Sequence, residues 1–520
     1  MNKKSTINIL WFLIGFGLFY FTRTTTFVPI AIALAPVFII RFILISKPVK
    51  GILLTTLGFI LVMQFNFVVP AKFDNEILFV FSFLRSFLLG IVLALPYIIT
   101  RILLIRQKGF ISTLIFPTAV VTIYFLDSVF GPFKGIIVFY AYSQFGNYPL
   151  MQMSSIGGIW ILVFIISWFA SVLNWLWHND FKLKENIAGI AIFLSVLIGA
   201  YLYGGIKTSP FFYNYKNQTV RIAAAVFHPD KGTPNYGIDK ILNERRFTPV
   251  QKRLNNIEEA VHQAAHVDAK IIAFQEFSLI IKEIETQMVL NELKRIAAEN
   301  DIYICIGLVT MPELLPGKHE YFMGYMELDD EKEEGKNIAV FINNQGEIET
   351  IYQKHNLVFG EGTWVLEGPG KIPVVQTRYG KIGIAICRDM EFPDYMRQAS
   401  KQKADIVIAP SYEAYQSLSI TYSQMQRSIE NGFSFIRPCG NGLTIAVDYN
   451  GKTLSEMNYF TSSSSVMLAD VPTRRIMTVY SVIADSFAIL CVSALLLFIL
   501  YNIIGSRVKG LKVILKQKQK

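Results

Sequence analysis

The sequence predicts two structural classes in one chain: a membrane α-helical bundle of about eight spans, and a layered α/β domain inserted before the last span. Three observations predict this. Hydrophobic residues make up 52% of the chain and charged residues only 17%, at a mean hydropathy of +0.40, whereas a soluble protein carries about 25% charge. The apolar residues gather into long runs over 1–206 and again over 481–504, and about 20 apolar residues are what a spanning helix needs. Between them, 218–470 alternates short apolar strands with amphipathic helices, as one domain of ordinary size does. Abundant apolar side chains with scarce charge also exclude intrinsic disorder.

Candidate spans lie near 7–22, 27–46, 51–70, 77–99, 110–127, 155–177, 187–206 and 482–504. The first comes after Asn2-Lys3-Lys4 like a signal peptide, but Thr22-Arg23-Thr24 stands where a small-residue cleavage site would be, so it reads as a retained helix. Lysine and arginine set the orientation. One set of connecting segments holds Lys3 and Lys4, then Arg41, Lys47 and Lys50, then Arg101, Arg106 and Lys108, then Lys182 and Lys184, and the tail 505–520 is basic. The opposite set has mainly Arg23, Lys72 and Lys134. Alternation through the spans puts both termini in the cytoplasm and turns the domain after the seventh span outward, away from cytosolic ATP and nicotinamide cofactors. The net charge of +10 is therefore a topology signal, and the basic tail reads as an anchor at an anionic inner leaflet or a lipid-specific site rather than a nucleic-acid site. Four cysteines make no disulfide framework; Cys305 and Cys491 lie in apolar stretches and read as small buried hydrophobes, while Cys439 is ambiguous.

In the inserted domain, Val220 to Phe227 opens as a β-rich run, and Val250, Leu254, Ile257 and Val261 give 247–266 a helical stripe. Lys270–Phe274 and Ile302–Ile306 are strands around an amphipathic helix over 286–299. Ile338–Ile342 and Ile348–Tyr352 flank Asn343-Asn344-Gln345-Gly346, a hairpin signal. Lys381–Ile386 and Asp405–Ala409 are buried strands, and Leu443–Val447 pairs with the segment after Asn450-Gly451. His262 and His266 have the spacing of a zinc pair but no third ligand, so they read as a solvated helix face.

Three polar residues each sit just past an apolar strand: Glu276, Lys354 and Cys387. Open α/β sheets build their binding crevice at such strand ends. A thiol is a strong nucleophile only as thiolate. A lysine lowers its pKa and can steady an oxyanion, and a carboxylate can take the thiol proton.

Phe274-Gln275-Glu276, Tyr352-Gln353-Lys354 and Cys387-Arg388-Asp389-Met390-Glu391-Phe392-Pro393 resemble the three signatures of the nitrilase, or carbon–nitrogen hydrolase, superfamily. The resemblance implies a four-layer nitrilase-like αββα sandwich, with Glu276 as general base, Lys354 as electrostatic stabiliser and Cys387 as nucleophile. Phe359-Gly360-Glu361 resembles the segment carrying a further active-site glutamate, which makes Glu361 a partner of Lys354 or of an acceptor amine. Seven spans, an outward domain and an eighth span resemble the apolipoprotein N-acyltransferase family. Ala141-Tyr142-Ser143-Gln144, Gly158-Ile159-Trp160, Arg427–Gly432 with Arg437 and Asn441-Gly442, and Thr478-Val479-Tyr480 with Asp485 match that family locally. The chain departs from it at Arg388-Asp389, where the family has Tyr-Glu, and at Pro410–Tyr415.

The resemblance implies acyl transfer from a phospholipid through a Cys387 thioester to the N-terminal amine of a lipoprotein or another amine, in the cytoplasmic membrane of a bacterium, with no cofactor and no metal. Candidate substrate-binding residues are Arg388, Phe359, Trp364, Tyr412 and Tyr415, with the aromatic run Tyr321–Met326 as a lipid entrance. Two other readings stand beside it: a membrane-tethered amidase cleaving an extracytoplasmic amide, and a non-catalytic lipoprotein-binding membrane protein.

Overall fold

The computed structural model describes residues 3–22, 28–68, 76–104, 109–131, 135, 139–210, 218–227, 249–312, 335–358, 361–413, 418–462 and 465–518. The chain divides into two compact units, 1–208 with 483–520, and 209–482.

The first unit is helical. Among the described residues six helices are long and apolar enough to cross a membrane: Pro48–Asn66, Phe79–Leu104, Phe110–Phe130, Ile159–His178, Ile187–Lys207 and Ser486–Ile504. The apolar helices Ile7–Tyr20 and Pro29–Ile45 are shorter. Together they correspond to the expected spans, the first two falling short of the length a span needs among the described residues. Ile159–His178 is the central helix, 72% buried, whereas Ile187–Lys207 and Ser486–Ile504 are only 22% and 17% buried. Leu194, Ile198, Leu202, Leu496 and Leu500 are all exposed on those two. Exposed leucine and isoleucine over whole helices would aggregate a soluble protein and suit a helix that faces lipid tails.

Polar side chains inside this unit tie its helices together, to backbone and to one another. Arg101, in the last turn of its helix, donates from Nη2 to the Ser46 carbonyl at 2.8 Å and from Nη1 to that of Ile43, meeting the negative C-terminal end of Pro29–Ile45. Trp160 Nε1 donates to Asp485 Oδ1 at 2.9 Å, joining the start of the central helix to that of the last one. Before the central helix the chain is irregular. There are three single turns: Phe139–Tyr142 and Ser154–Gly157 pack on the central helix, while Tyr148–Met151 packs on Ile187–Lys207. Gly204 permits that approach, since a Cβ there would lie 1.8 Å from the Pro149 carbonyl oxygen.

The second unit is an αββα sandwich. One sheet has the order β15-β1-β2-β4-β5-β6, with β3 paired to β4. Its strands are β1 (Thr219–Ala225), β2 (Ile271–Phe274), β3 (Leu279–Lys282), β4 (Tyr303–Met311), β5 (Lys336–Ile342), β6 (Ile348–Gln353) and β15 (Val466–Pro472). The other has the order β14-β13-β11-β9-β8-β7, from β7 (Val374–Thr377), β8 (Gly380–Ile384), β9 (Ile406–Ile408), β11 (Ser434–Arg437), β13 (Leu443–Val447) and β14 (Thr453–Asn458). A short parallel pair, β10 (Ser411–Tyr412) and β12 (Cys439–Gly440), lies between neighbouring segments.

Side-chain alternation builds the layers. Val220, Ile222 and Ala224 of β1 enter a core shared with Ile384, Ile408 and Ile436 of the second sheet. Ala223 and Ala225 turn the other way and join Leu254, Ile257, Leu293 and Ile296 of the helices Val250–His266 and Thr286–Glu299. His262 and His266 lie on the exposed side of the first of these helices. The predicted hairpin pairs Ile338 with Gln353 and Ile342 with Ile348, turning at Gly346 with φ 79°.

Candidate active site

The three strand-end residues fall in one buried region of the sandwich. Glu276 lies two residues past β2, its N–H donating to the Ser411 carbonyl at 3.3 Å. The chain then turns at Phe277 with φ 58°, a left-handed conformation that a bulky residue adopts at a cost. Beneath it runs β4, where a Cβ on Gly307 would come within 2.8 Å of the Glu276 Cα, so glycine is what allows the two backbones to meet. Lys354 directly follows β6 and is locked by its N–H to the Asn337 carbonyl, 2.9 Å, and its own carbonyl to the Gly368 N–H, 2.8 Å. Cys387 follows β8 and opens a 3-10 turn, also left-handed at φ 45°. Its N–H donates to the Pro410 carbonyl at 2.9 Å, and Sγ lies 3.5 Å from the Tyr412 carbonyl oxygen.

Lys354 Nζ donates to Glu276 Oε1 at 2.8 Å and to Glu361 Oε2 at 2.8 Å, with all three residues almost fully buried. Burial alone would lower the lysine pKa, but Glu276 and Glu361 hold the ammonium protonated well above the ordinary lysine value. Burial raises the pKa of Glu276, opposed by the charge of Lys354. At Cys387, burial and the negative charge of Glu276 push the thiol up, and together they outweigh the lowering by Lys354 and Arg437. Lys354 thus lowers this thiol in the expected direction, but in the resting site burial and Glu276 outweigh it. The nucleophile is stored as a neutral thiol and needs a base at the moment of attack.

Two further residues hold these parts together: Asn337, which the sequence did not mark, and Asp389, marked there only as a departure from the family pattern. Asn337, fully buried on β5, donates from Nδ2 to Glu276 Oε1 and to Glu361 Oε1, each at 2.8 Å. Asp389 is a buried junction. Its Oδ2 accepts from the Tyr352 hydroxyl at 2.6 Å and the Ile386 N–H at 3.0 Å; its Oδ1 accepts from the Asn356 N–H at 2.9 Å and the Asn356 side chain at 3.0 Å. It thereby ties the residues flanking Lys354 to the residue before Cys387. Burial raises its pKa. Tyr352 is also within 2.9 Å of the Tyr395 hydroxyl.

The expected substrate-binding residues divide. Trp364 and Tyr412 pack in one apolar cluster around Phe277, with ring centroids 6.3 Å and 5.8 Å from it. Arg388 is half-buried and turned to the Leu357 carbonyl and to Glu391, 3.7 Å away. Phe359, Tyr415 and the run 321–326 lie outside the described residues. A second buried ion pair also acts on the thiol, Arg437 Nη2 to Glu413 Oε1 at 2.7 Å, with Arg437 also donating to Thr421 and to the Leu443 carbonyl at 3.1 Å. Among the described residues no group of three or more His, Cys, Asp or Glu side chains is placed to hold a metal ion. A buried thiol, a carboxylate and an ammonium can together form and discharge a covalent acyl intermediate.

Residues 244–479 match the family model for carbon–nitrogen hydrolases. An apolipoprotein N-acyltransferase of Haemophilus ducreyi is 22% identical over 426 residues, 76% of this chain and 76% of that protein. One of Borreliella burgdorferi is 24% identical over 384 residues, 66% of each. A probable hydrolase of Bacillus subtilis, YhcX, is 34% identical over 104 residues, 19% of this chain and 20% of its own length. Among solved structures, an amidase from Nesterenkonia sp. is 19% identical, with a TM-score of 0.38, covering 50% of this chain and 92% of the amidase.

Proposed function

We propose that this chain, an apolipoprotein N-acyltransferase-like membrane protein of the carbon–nitrogen hydrolase superfamily, moves a fatty acyl group from a phospholipid, through a thioester on Cys387, to the N-terminal amine of a lipoprotein. The observation that carries this reading is the buried Glu276–Lys354 pair, 2.8 Å, acting electrostatically on the Cys387 thiol. Glu276 takes the thiol proton as sulfur attacks the ester carbonyl. Lys354 offsets the negative charge that develops on the carbonyl oxygen. The oxygen–acyl bond breaks, the proton passes to the leaving lysophospholipid, and the thioester remains. An amine then attacks the thioester, loses a proton to Glu276, and the sulfur leaves.

The membrane helices support a lipid donor on energetic grounds. An acyl chain in the bilayer is held by about 0.8 kcal/mol per CH₂, so it does not leave for a dissolved enzyme. The lysine and arginine pattern supports a domain facing outward from a bacterial cytoplasmic membrane, with both termini cytoplasmic. Incubating the purified full-length protein with radiolabelled phospholipid tests the reading. A Cys387-linked acyl group that an amine-bearing diacylglyceryl peptide discharges to an amide is the expected result. Discharge by water alone, or amide cleavage with no lipid-derived adduct, would make the enzyme a hydrolase instead.

A further inference from the structure

Two carboxylates share the one amine of Lys354, and the two are not bonded alike. Glu361 has both oxygens engaged: Oε1 accepts from Lys354 at 3.1 Å and Asn337 at 2.8 Å, and Oε2 accepts from Lys354 at 2.8 Å and the Val358 N–H at 2.9 Å. Glu276 has one. Its Oε1 accepts from Lys354 and from Asn337, both at 2.8 Å, while Oε2 accepts no hydrogen bond among the described residues. The difference depends on Asn337, which spends one amide hydrogen on each carboxylate. Only that orientation is possible, because its carbonyl oxygen would otherwise face two carboxylate oxygens. A neutral two-hydrogen donor can bridge two anions without discharging either. A lysine there would neutralise the pair, and an aspartate would add a third negative charge.

We infer that Asn337 is a positioning residue which, with Lys354, makes Oε2 of Glu276 the atom that receives the Cys387 proton and keeps Glu361 out of proton transfer. This rests on the reading of Glu276 as the base. In the step, the S–H bond breaks and an O–H bond forms at Oε2; the sulfur keeps the electron pair that attacks the acyl carbon. The bonds at Oε1 survive the transfer, so the carboxyl group stays in place to return the proton. Glu361, with donors on both oxygens, serves to fix the ammonium.

The test is the rate of Cys387 alkylation by iodoacetamide in the full-length detergent-solubilised protein from pH 4 to pH 9, read at Cys387 by mass spectrometry. Asn337→Ala removes a donor to the Glu276 carboxylate, so the acid limb moves up by about 1–2 pH units, and acylation by phospholipid loses kcat with KM unchanged. A wild-type limb in Asn337→Ala overturns the inference. Should that variant not accumulate, Glu361→Gln and Glu276→Gln decide: the limb persists in the first and disappears in the second. A limb lost in Glu361→Gln overturns the exclusion of Glu361. A limb intact in Glu276→Gln removes the base itself, and with it the parent reading, whereas an unmoved limb in Asn337→Ala alone removes only the role of Asn337.

Discussion

At Cys387 the chain is left-handed at φ 45°, and at Phe277, one residue past the base, at φ 58°. Strained backbone at both strand ends persists only where the surroundings over-determine it, and Asp389 supplies much of that restraint at the cysteine. Asp389→Ala leaves the buried Ile386 N–H without its acceptor, takes from the Tyr352 hydroxyl an acceptor that Tyr395 only partly replaces, and strips the half-buried Asn356 amide groups of theirs, at about 1–3 kcal/mol for a buried group left unpaired. The expected loss of about 3 kcal/mol or more lowers the unfolding midpoint in detergent by about 6–12 °C, with Asp389→Asn intermediate. The raised pKa of Glu276 fixes the sign of the pH response. The base must be ionised to accept the thiol proton, so single-turnover acylation is complete at higher pH and is lost as pH falls through a value above the ordinary 4.5 of a glutamate. A profile still flat at pH 4.5 would contradict this. Glu276, Lys354 and Cys387 were legible in the sequence because each stands in a recognisable local motif past an apolar strand. Asn337 was not, nor was the junction role of Asp389, since both depend on partners 24 to 61 residues away that only folding brings near.

Elements that carry a strong period could be read directly. The helix expected over 286–299 spans Thr286–Glu299, and the hairpin around Gly346 pairs as expected. The strands that escaped notice include the short Leu279–Lys282, Val374–Thr377 and Ser434–Arg437, the two-residue Ser411–Tyr412 and Cys439–Gly440, and also the seven-residue Val466–Pro472, which is placed only by its pairing with β1 at the far end of the domain. The span expected from 155 begins instead at Ile159, because Gly158 at φ 66° ends the single turn Ser154–Gly157 there. Close approach between elements yields its own prediction. Gly307→Ala forces β4 against the Glu276 backbone, an overpacking cost of about 1–3 kcal/mol. Because the clash is with the base itself, acylation should fall more than stability does. Equal losses in the two measurements would argue that β4 merely supports the fold.

For the molecule as a whole, the charge pattern makes a prediction independent of the chemistry. All four native cysteines are buried, so introduced ones report cleanly. Lys371→Cys, on the exposed surface of the sandwich, should react with a membrane-impermeant maleimide in intact spheroplasts. Lys516→Cys in the tail should react only after the membrane is opened. The reverse pattern would invert the topology and bring the site within reach of cytosolic donors.

The sandwich begins and ends on neighbouring strands. Thr219 of β1 is paired with Pro472 of β15, and the Thr473 N–H closes on the Gln218 carbonyl at 3.0 Å. A module whose two ends emerge side by side can be spliced into a single interhelical loop of a host without stretching either partner. The same arrangement lets a gene acquire or exchange its soluble half as one cassette: the junctions to cut are the two sides of one paired seam, and a chimera that replaces everything between them would leave the helices their original connections.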